Sequence, residues 1–415
     1  MMSALFLVVT ILAGLYMSWS IGANDVANAM GTSVGSRAIT LKQAVILAAI
    51  FDFTGAILVG SHVTATLQKG IVDPEIFLGK PEVFAAGMLA ALIGAAAWVH
   101  IATAYGLPVS TSHSIVGAIF AFGLVYGGFS SVQWGKMLSI VISWVISPLA
   151  GALLGFLMFG YLHQRIFQSP TPAMIARRVA PQMVFLVVAI VFLSVIFKGP
   201  KTLHLDLPLG PAAAMAAGIG LIVAGLYALL LRRHWIECAN LPIHQQLDRV
   251  EQIFRYLQIA TACYVAFAHG ANDVANAMGP VAGIYMVMKT NNLDTAVQVP
   301  IWILAIGAVG IALGISTYGY RVIKTIGEKI TEMTPTRGFA AQFSCATTVL
   351  TCSLLGLPVS TSHTIVGSVV GVGLARGIST IDRKIVMNIC YSWVITIPVA
   401  AIITIVLLPI LEKLF

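Results

Sequence analysis

The chain has 415 residues, 59% of them hydrophobic and 9% charged, with a net charge of +8. Mean hydropathy is +0.95 and globular chains carry about 25% charged residues, so composition excludes a soluble domain and points to an all-α polytopic membrane protein. The basic residues lie between apolar runs, as in cytoplasmic loops, and do not form the clustered patch that a nucleic-acid partner requires.

In chain order, the opening "MMSALFLVVTILAGLYMSWS" has no basic n-region and no small-residue cleavage site. It reads as the first part of a transmembrane helix over 3–30, which ends in "GANDVANAMG" (Gly22–Gly31). A second helix, 41–61, carries Asp52 in an apolar context. An apolar segment, 82–105, then meets "GLPVSTSH" (106–113), where Pro108 removes a backbone donor and turns the preceding residue away from the α region. A short apolar segment (113–127) and a long helix (136–161) follow. The next stretch holds two apolar segments, 182–197 and 210–231, and the charged loop "LDRVEQIFR" (247–255). Gln68, Lys69 and Glu75 read as solvated loop residues, and the five Cys show neither CxxC nor Cys/His spacing, so no disulfide or metal site is expected from them.

The same parts then recur. "GANDVANAMG" returns at Gly270–Gly279, "GLPVSTSH" at 356–363 and the "SWVIS" of 143–147 as "SWVIT" at 392–396. The matching segments are 256–280, 298–318, 337–355 (with Gln342), 363–375 and 384–411. This predicts three parts: a repeat over 1–161, a linker over 162–255 with two crossings and a cytoplasmic loop, and a second repeat over 256–415. Broken backbone survives at membrane depth only inside protein or beside water, so 82–127 and 337–375 read as re-entrant helical hairpins. Each half then crosses three times, the linker twice, and the second half starts on the opposite side: an inverted-topology repeat with broken helices, as in secondary transporters. Of the 23 Lys and Arg, 16 fall on the side of the 32–42 loop. That side is expected to be cytoplasmic, with both termini extracytoplasmic in the cell (plasma or inner) membrane.

The motifs carry unusual chemistry for a bilayer. Asn24, Asp25 and Asn28 share one helical face, as do Asn272, Asp273 and Asn276. A buried carboxylate costs about 2.5–3.5 kcal/mol on insertion scales and marks an ion or substrate path; helix-packing amides would need no charge. Ser110, Thr111 and Ser112, and Ser360, Thr361 and Ser362, stand where N-caps open the second hairpin arms. Helix N-termini suit anions, and the plain alternative is a capped turn. These motifs hold two Asp and no Lys or Arg. A divalent anion between them gathers about four negative charges, which requires cations or protons to accompany it. Carboxylate, amide and hydroxyl oxygens suit Na⁺, with protonation of Asp as the alternative. Asp52 and Gln342 are read as a cation path, and His113 and His363 as structural supports of the hairpins.

These paired GANDVAN and GLPVSTSH motifs in a duplicated chain resemble the inorganic phosphate transporter (PiT) family, in its sodium/phosphate symporter form, over nearly the whole length. The resemblance implies phosphate as substrate, Na⁺ (or H⁺) as coupling ion, no other cofactor, no enzymatic activity and a homodimer in the lipid bilayer. It implies cation binding at Asn24, Asp25, Asn28, Asn272, Asp273 and Asn276. It implies phosphate binding at Ser110, Thr111, Ser112, Ser360, Thr361 and Ser362, with Asn24 and Asn272 shaping the anion site. Asp52 and Gln342 stand where some family members carry Glu. Competing readings are an intramembrane hydrolase, which lacks GxSxG and the single nucleophile a triad needs; an anion channel, which needs no cation; and a sulfate or arsenate permease of the same fold.

Overall fold

The computed structural model describes residues 4–69, 71–77, 79–198, 207–234, 241–290, 299–320, 323, 333–377 and 383–414. Its first half contains α1 (Ala4–Gly35), α2 (Leu41–Val59), α3 (Ser61–Lys69), α4 (Pro81–Ala104), α5 (Thr111–Gly127) and α6 (Trp134–Leu162). Two helices, α7 (Pro172–Lys198) and α8 (Leu209–His234), lead to α9 (Ile243–Thr290). The chain closes with α10 (Ile301–Thr317), α11 (Pro335–Leu354), α12 (Thr361–Leu374) and α13 (Arg383–Leu414). Seven of these helices are long and apolar enough to cross a membrane, while α5, α10 and α12 are shorter apolar helices. Outward faces are apolar: Leu149 is 64% and Val394 71% exposed, as expected where lipid is the solvent.

Local chemistry sets the boundaries. Helix α1 runs past residue 30 because nothing breaks it before a Schellman turn at Arg37, whose φ is 59°. There Ala38 N donates to Ser33 O (2.9 Å) and Arg37 N to Val34 O (3.0 Å). Thr40 and Gln43 form a capping box at the start of α2. The expected single helix over 41–61 is divided at Gly60, and Gln68 and Lys69 belong to α3, where a loop was expected. The expected charged loop 247–255 is also helical, since α9 begins at Ile243 and continues without a break through the second GAND motif. No Gly or Pro lies between Ile243 and His269, so nothing in the sequence stops that helix. Cys263, Cys345, Cys352 and Cys390 are free thiols; Cys238 lies outside the described residues.

The two halves interlock. Helix α1 packs on α10, and α2 on α9, so each GAND helix is paired with the second helix of the other half. Likewise α5 packs on α13, and α12 on α6. The first Gly of each GAND motif makes the first pairing fit: a Cβ on Gly22 would run into the Ile311 carbonyl, and one on Gly270 into the Asp52 carbonyl. Small residues are what let helix backbones approach this closely in a membrane protein.

Candidate functional site

Each GLPVS stretch is a helix break built residue by residue. Gly106 (φ +67°) and Gly356 (φ +70°) hold left-handed conformations, which glycine adopts without strain. They close Schellman turns at the ends of α4 and α11: Leu107 N donates to Ala102 O and Leu357 N to Cys352 O, both at 2.9 Å. Pro108 and Pro358 then stop the helix. Ser110 and Ser360 reopen it as N-caps, their hydroxyls accepting from His113 N (3.2 Å) and His363 N (3.3 Å). The two arms of each break pack against one another, α4 on α5 and α11 on α12.

Asn24 and Asn272 stitch these breaks together. Asn24 Nδ2 donates to Thr103 Oγ1 (2.8 Å) and Leu107 O (3.1 Å), while its Oδ1 accepts from Val109 N (3.3 Å). Asn272 repeats this with Ser353 Oγ (2.9 Å), Leu357 O (3.1 Å) and Val359 N (3.2 Å). Both ends of each amide are therefore engaged by groups of the helix breaks, with one hydrogen bond accepted by each Oδ1.

Asp25 and Asp273 are buried where both breaks meet. Asp25 Oδ2 accepts from Thr111 Oγ1 of the first break (2.9 Å), and its Oδ1 from Asn28 Nδ2 (2.8 Å) and from Ser362 Oγ of the second (3.2 Å). Asp273 Oδ2 accepts from Thr361 Oγ1 (3.3 Å). The amides cross over: Asn28 donates to Ser362 Oγ (2.7 Å) and Asn276 to Ser112 Oγ (3.0 Å). Ser112 Oγ also donates to Val359 O (3.0 Å). Thus Asp25, Asn28, Asn276, Thr111, Ser112, Thr361 and Ser362 form one connected polar cluster with Asp273. Ser110 and Ser360 sit at its edge, with their hydroxyls engaged as caps. Behind it, the His113 and His363 rings lie 4.4 Å apart, packed on Trp144 (3.9 Å) and Trp393 (3.5 Å).

One residue of the cluster was not expected. His269, fully buried, hydrogen-bonds Asp52 through Nδ1, and its Nε2 lies 3.0 Å from Asp273 Oδ2 and 3.7 Å from Asp25 Oδ2. It ties Asp52 to the paired carboxylates. Asp25, His269 and Asp273 each offer a ligand atom, all within 4.8 Å of one another. Asp52 Oδ2, Asp273 Oδ1 and Asn276 Oδ1 have no hydrogen-bond partner among the described residues, and buried acceptor oxygens of this kind are suited to cations. Gln342, on α11, reaches α1 further along its length, donating to Ala29 O (2.9 Å) and Ser33 Oγ (3.0 Å) and accepting from Thr261 (3.1 Å). The duplicated words hide the histidine, because the first copy has Ile21 in its place and a comparison of shared letters passes over what only one copy carries. The available signal is an ionisable ring in the apolar run "YVAFAHGAND".

Residues 21–404 match the Phosphate transporter family. The chain belongs to the phosphate transporter family. It is 46% identical, over 98% of both chains, to a putative phosphate permease of Pyrococcus abyssi. It is 43% identical to the chloroplastic inorganic phosphate transporter 2-1 of Arabidopsis thaliana, over 96% of this chain and 70% of that protein. A solved structure of a sodium-dependent phosphate transporter superposes with a TM-score of 0.92 at 40% identity, covering 99% of this chain and 100% of that one. The chain is thus a multi-pass membrane transporter of the phosphate class, not an enzyme, and the hydrolase reading is set aside.

Proposed function

We propose that this transporter carries inorganic phosphate with Na⁺ as coupling ion, by alternating access. The observation that carries the reading is the meeting of two Ser-capped helix N-termini, at Thr111–Ser112 and Thr361–Ser362, with Asp25 and Asp273 in one buried cluster. The N-termini supply unpaired N–H groups and partial positive charge for a tetrahedral oxyanion. The carboxylates forbid that anion unless cations arrive with it, because like charges at low dielectric repel strongly. Na⁺ is held by Asp25, Asp273, Asn28 and Asn276, whose oxygens are hard ligands. Asn24 and Asn272 support both sites by fixing the breaks. Asp52 and Gln342 line the cation path, Asp52 through His269. The sodium dependence of the superposed transporter supports sodium as the ion.

The two repeats, 1–161 and 256–415, are read as inverted in the membrane: α7 and α8 of the linker 162–255 add two crossings to the three of the first half, and the hairpins are re-entrant. Matching hydrogen bonds at Asn24 and Asn272, and the interlocked pairing of α1–α10 and α2–α9, support the two-fold relation. Cations load first and neutralise the carboxylates, phosphate binds between the N-termini, and the hairpins part on the other side. The homodimer, the cell-membrane location and the extracytoplasmic termini belong to this reading.

A second reading keeps the fold and replaces Na⁺ by H⁺; the His269–Asp52 contact favours it, since an imidazole–carboxylate pair can carry a proton. Labelled phosphate uptake into proteoliposomes, with sodium and proton gradients imposed separately, decides. Uptake driven by the sodium gradient alone is expected. Uptake that follows only the proton gradient selects the second reading, and indifference to both gradients selects a channel.

A further inference from the structure

A groove runs along the outer side of α6, away from the polar cluster. Its lower chamber, of about 440 Å³, lies between α6, α7 and α11 and is lined by Leu157, Met158, Phe185 and Phe343. Its upper chamber, of about 360 Å³, lies between α6 and the second hairpin and reaches Leu355 and Leu357 beside the helix break. Leu154 borders both, so the two adjoin. From Ser139 to Tyr161 the groove follows 22 residues of α6, about 33 Å at 1.5 Å per residue, comparable to a bilayer's hydrocarbon core.

The groove has a polar mouth. At its lower end Tyr161 OH contacts Gln182 Oε1 at 3.4 Å, joining α6 to α7. Arg165 lies four residues beyond Tyr161, and Arg178 four residues before Gln182, on the same flank of α7. Both arginines are exposed. An apolar groove with two exposed arginines four residues beyond the lining residues of its lower end matches one amphiphile: a lipid whose chain lies along the groove and whose anionic head meets the arginines.

We propose that this groove holds an acyl chain of an anionic phospholipid, its headgroup on Arg165 and Arg178 and its tail directed past Leu154 toward the second hairpin. The tail rests on Phe343, next in sequence to Gln342, and so touches the first arm of a hairpin that Asn272 anchors on its other side. A neutral lipid fills the channel without engaging the mouth. A second copy of this chain would cover the groove with protein.

The test is lipid retention by the purified full chain after reconstitution in mixed phosphatidylcholine and phosphatidylglycerol vesicles, read by native mass spectrometry. Two basic residues at a membrane surface predict a preference for phosphatidylglycerol of about 30-fold. Arg165→Gln/Arg178→Gln, altering exposed residues only, should lose most of that preference. Leu157→Trp, at a position 55% exposed and therefore tolerant of size, should fill the lower chamber and lower retention of both lipids. Equal retention of the two lipids by the wild type, or unchanged preference in the arginine variant, overturns the proposal. So does a Leu157→Trp variant that keeps its lipid and loses its dimer, which would assign the groove to a second copy.

Discussion

Asn272→Asp separates two roles that both fit an amide beside a buried carboxylate. If Asn272 were chiefly a cation ligand, the change would keep its oxygen and add charge, and cation affinity would hold or rise. The structure gives the amide a different task. Its Nδ2 donates to Ser353 Oγ at 2.9 Å and Leu357 O at 3.1 Å, and only Val359 N is served by its oxygen. Aspartate cannot donate when ionised, so both bonds are lost and a carboxylate oxygen is set against the Leu357 carbonyl. Orphaning a buried polar group costs about 1–3 kcal/mol, although hydrogen bonds within membrane proteins average nearer 0.6 kcal/mol. Loss of two bonds plus carbonyl repulsion therefore amounts to roughly 2–3 kcal/mol against the assembled break, or about 30–150-fold in its population. Phosphate uptake into proteoliposomes should fall by about that factor, with membrane insertion retained and the thermal midpoint in detergent lowered. Asn24→Asp should behave alike, since its bonds are the same in kind. Wild-type uptake in Asn272→Asp would refute the clamp and return the residue to the ligand set.

Asp25→Asn and Asp273→Asn are expected to abolish gradient-coupled phosphate uptake while the protein still inserts, because each removes a negative charge that recruits a cation; wild-type uptake rates in either variant would defeat that role. Gly270→Ala places a Cβ against the Asp52 carbonyl, where no rotamer can relieve the clash. It should cost at least the 1–3 kcal/mol or so of core overpacking, read as a lowered thermal midpoint, whereas Gly218→Ala, which faces open space, should not. His269→Ile leaves Asp52 buried without its partner, a loss of about 3–5 kcal/mol by analogy with broken buried pairs. Adding Asp52→Ile should restore the share of thermal stability lost at Asp52, leaving the share lost where His269 Nε2 faces Asp273 and Asp25; a double variant as unstable as His269→Ile alone would contradict the pairing.

Much of this fold is legible in the sequence because membrane helices announce themselves by length and apolarity, and the breaks by Gly-Leu-Pro. The positions of Asp25, Asp273 and the two Ser-Thr-Ser caps follow from the duplicated words. The course of α9 does not, since "LDRVEQIFR" looks like a loop if charge is taken to end a membrane helix. Charge ends the apolar span; it does not end the hydrogen-bonded ladder, and no Gly or Pro stands between Ile243 and His269 to interrupt it. The clamp at Asn24 is also hidden, because its partners Leu107 O and Val109 N are backbone groups about 85 residues away, and sequence letters carry no record of which carbonyls are left free.

The copies differ where the chemistry is most exposed to difference. Gly22 lies under the Ile311 carbonyl as Gly270 lies under that of Asp52, so Ile311 occupies the position of Asp52, and Ile21 that of His269. One half thus presents an apolar pair where the other presents an imidazole–carboxylate pair. Under the proposed inverted-repeat reading, the outward-open and inward-open states are related by exchanging the conformations of the halves. Identical halves would make the two states equal in free energy before any gradient acts. The His269–Asp52 contact joins α9 to α2; Ile21 and Ile311 make no such buried tie, and α1 and α10 are joined instead by an exposed bond from Trp19 Nε1 to Thr317 Oγ1 at 2.8 Å. Any motion that changes the α2–α9 contact in one state and the α1–α10 contact in the other therefore has unequal cost. Under the alternating-access reading, this pair biases the resting state of the transporter as well as shaping its cation site. Exchanging His269 and Asp52 for the isoleucines of the other copy should then shift the balance between the two states even where it leaves the fold intact.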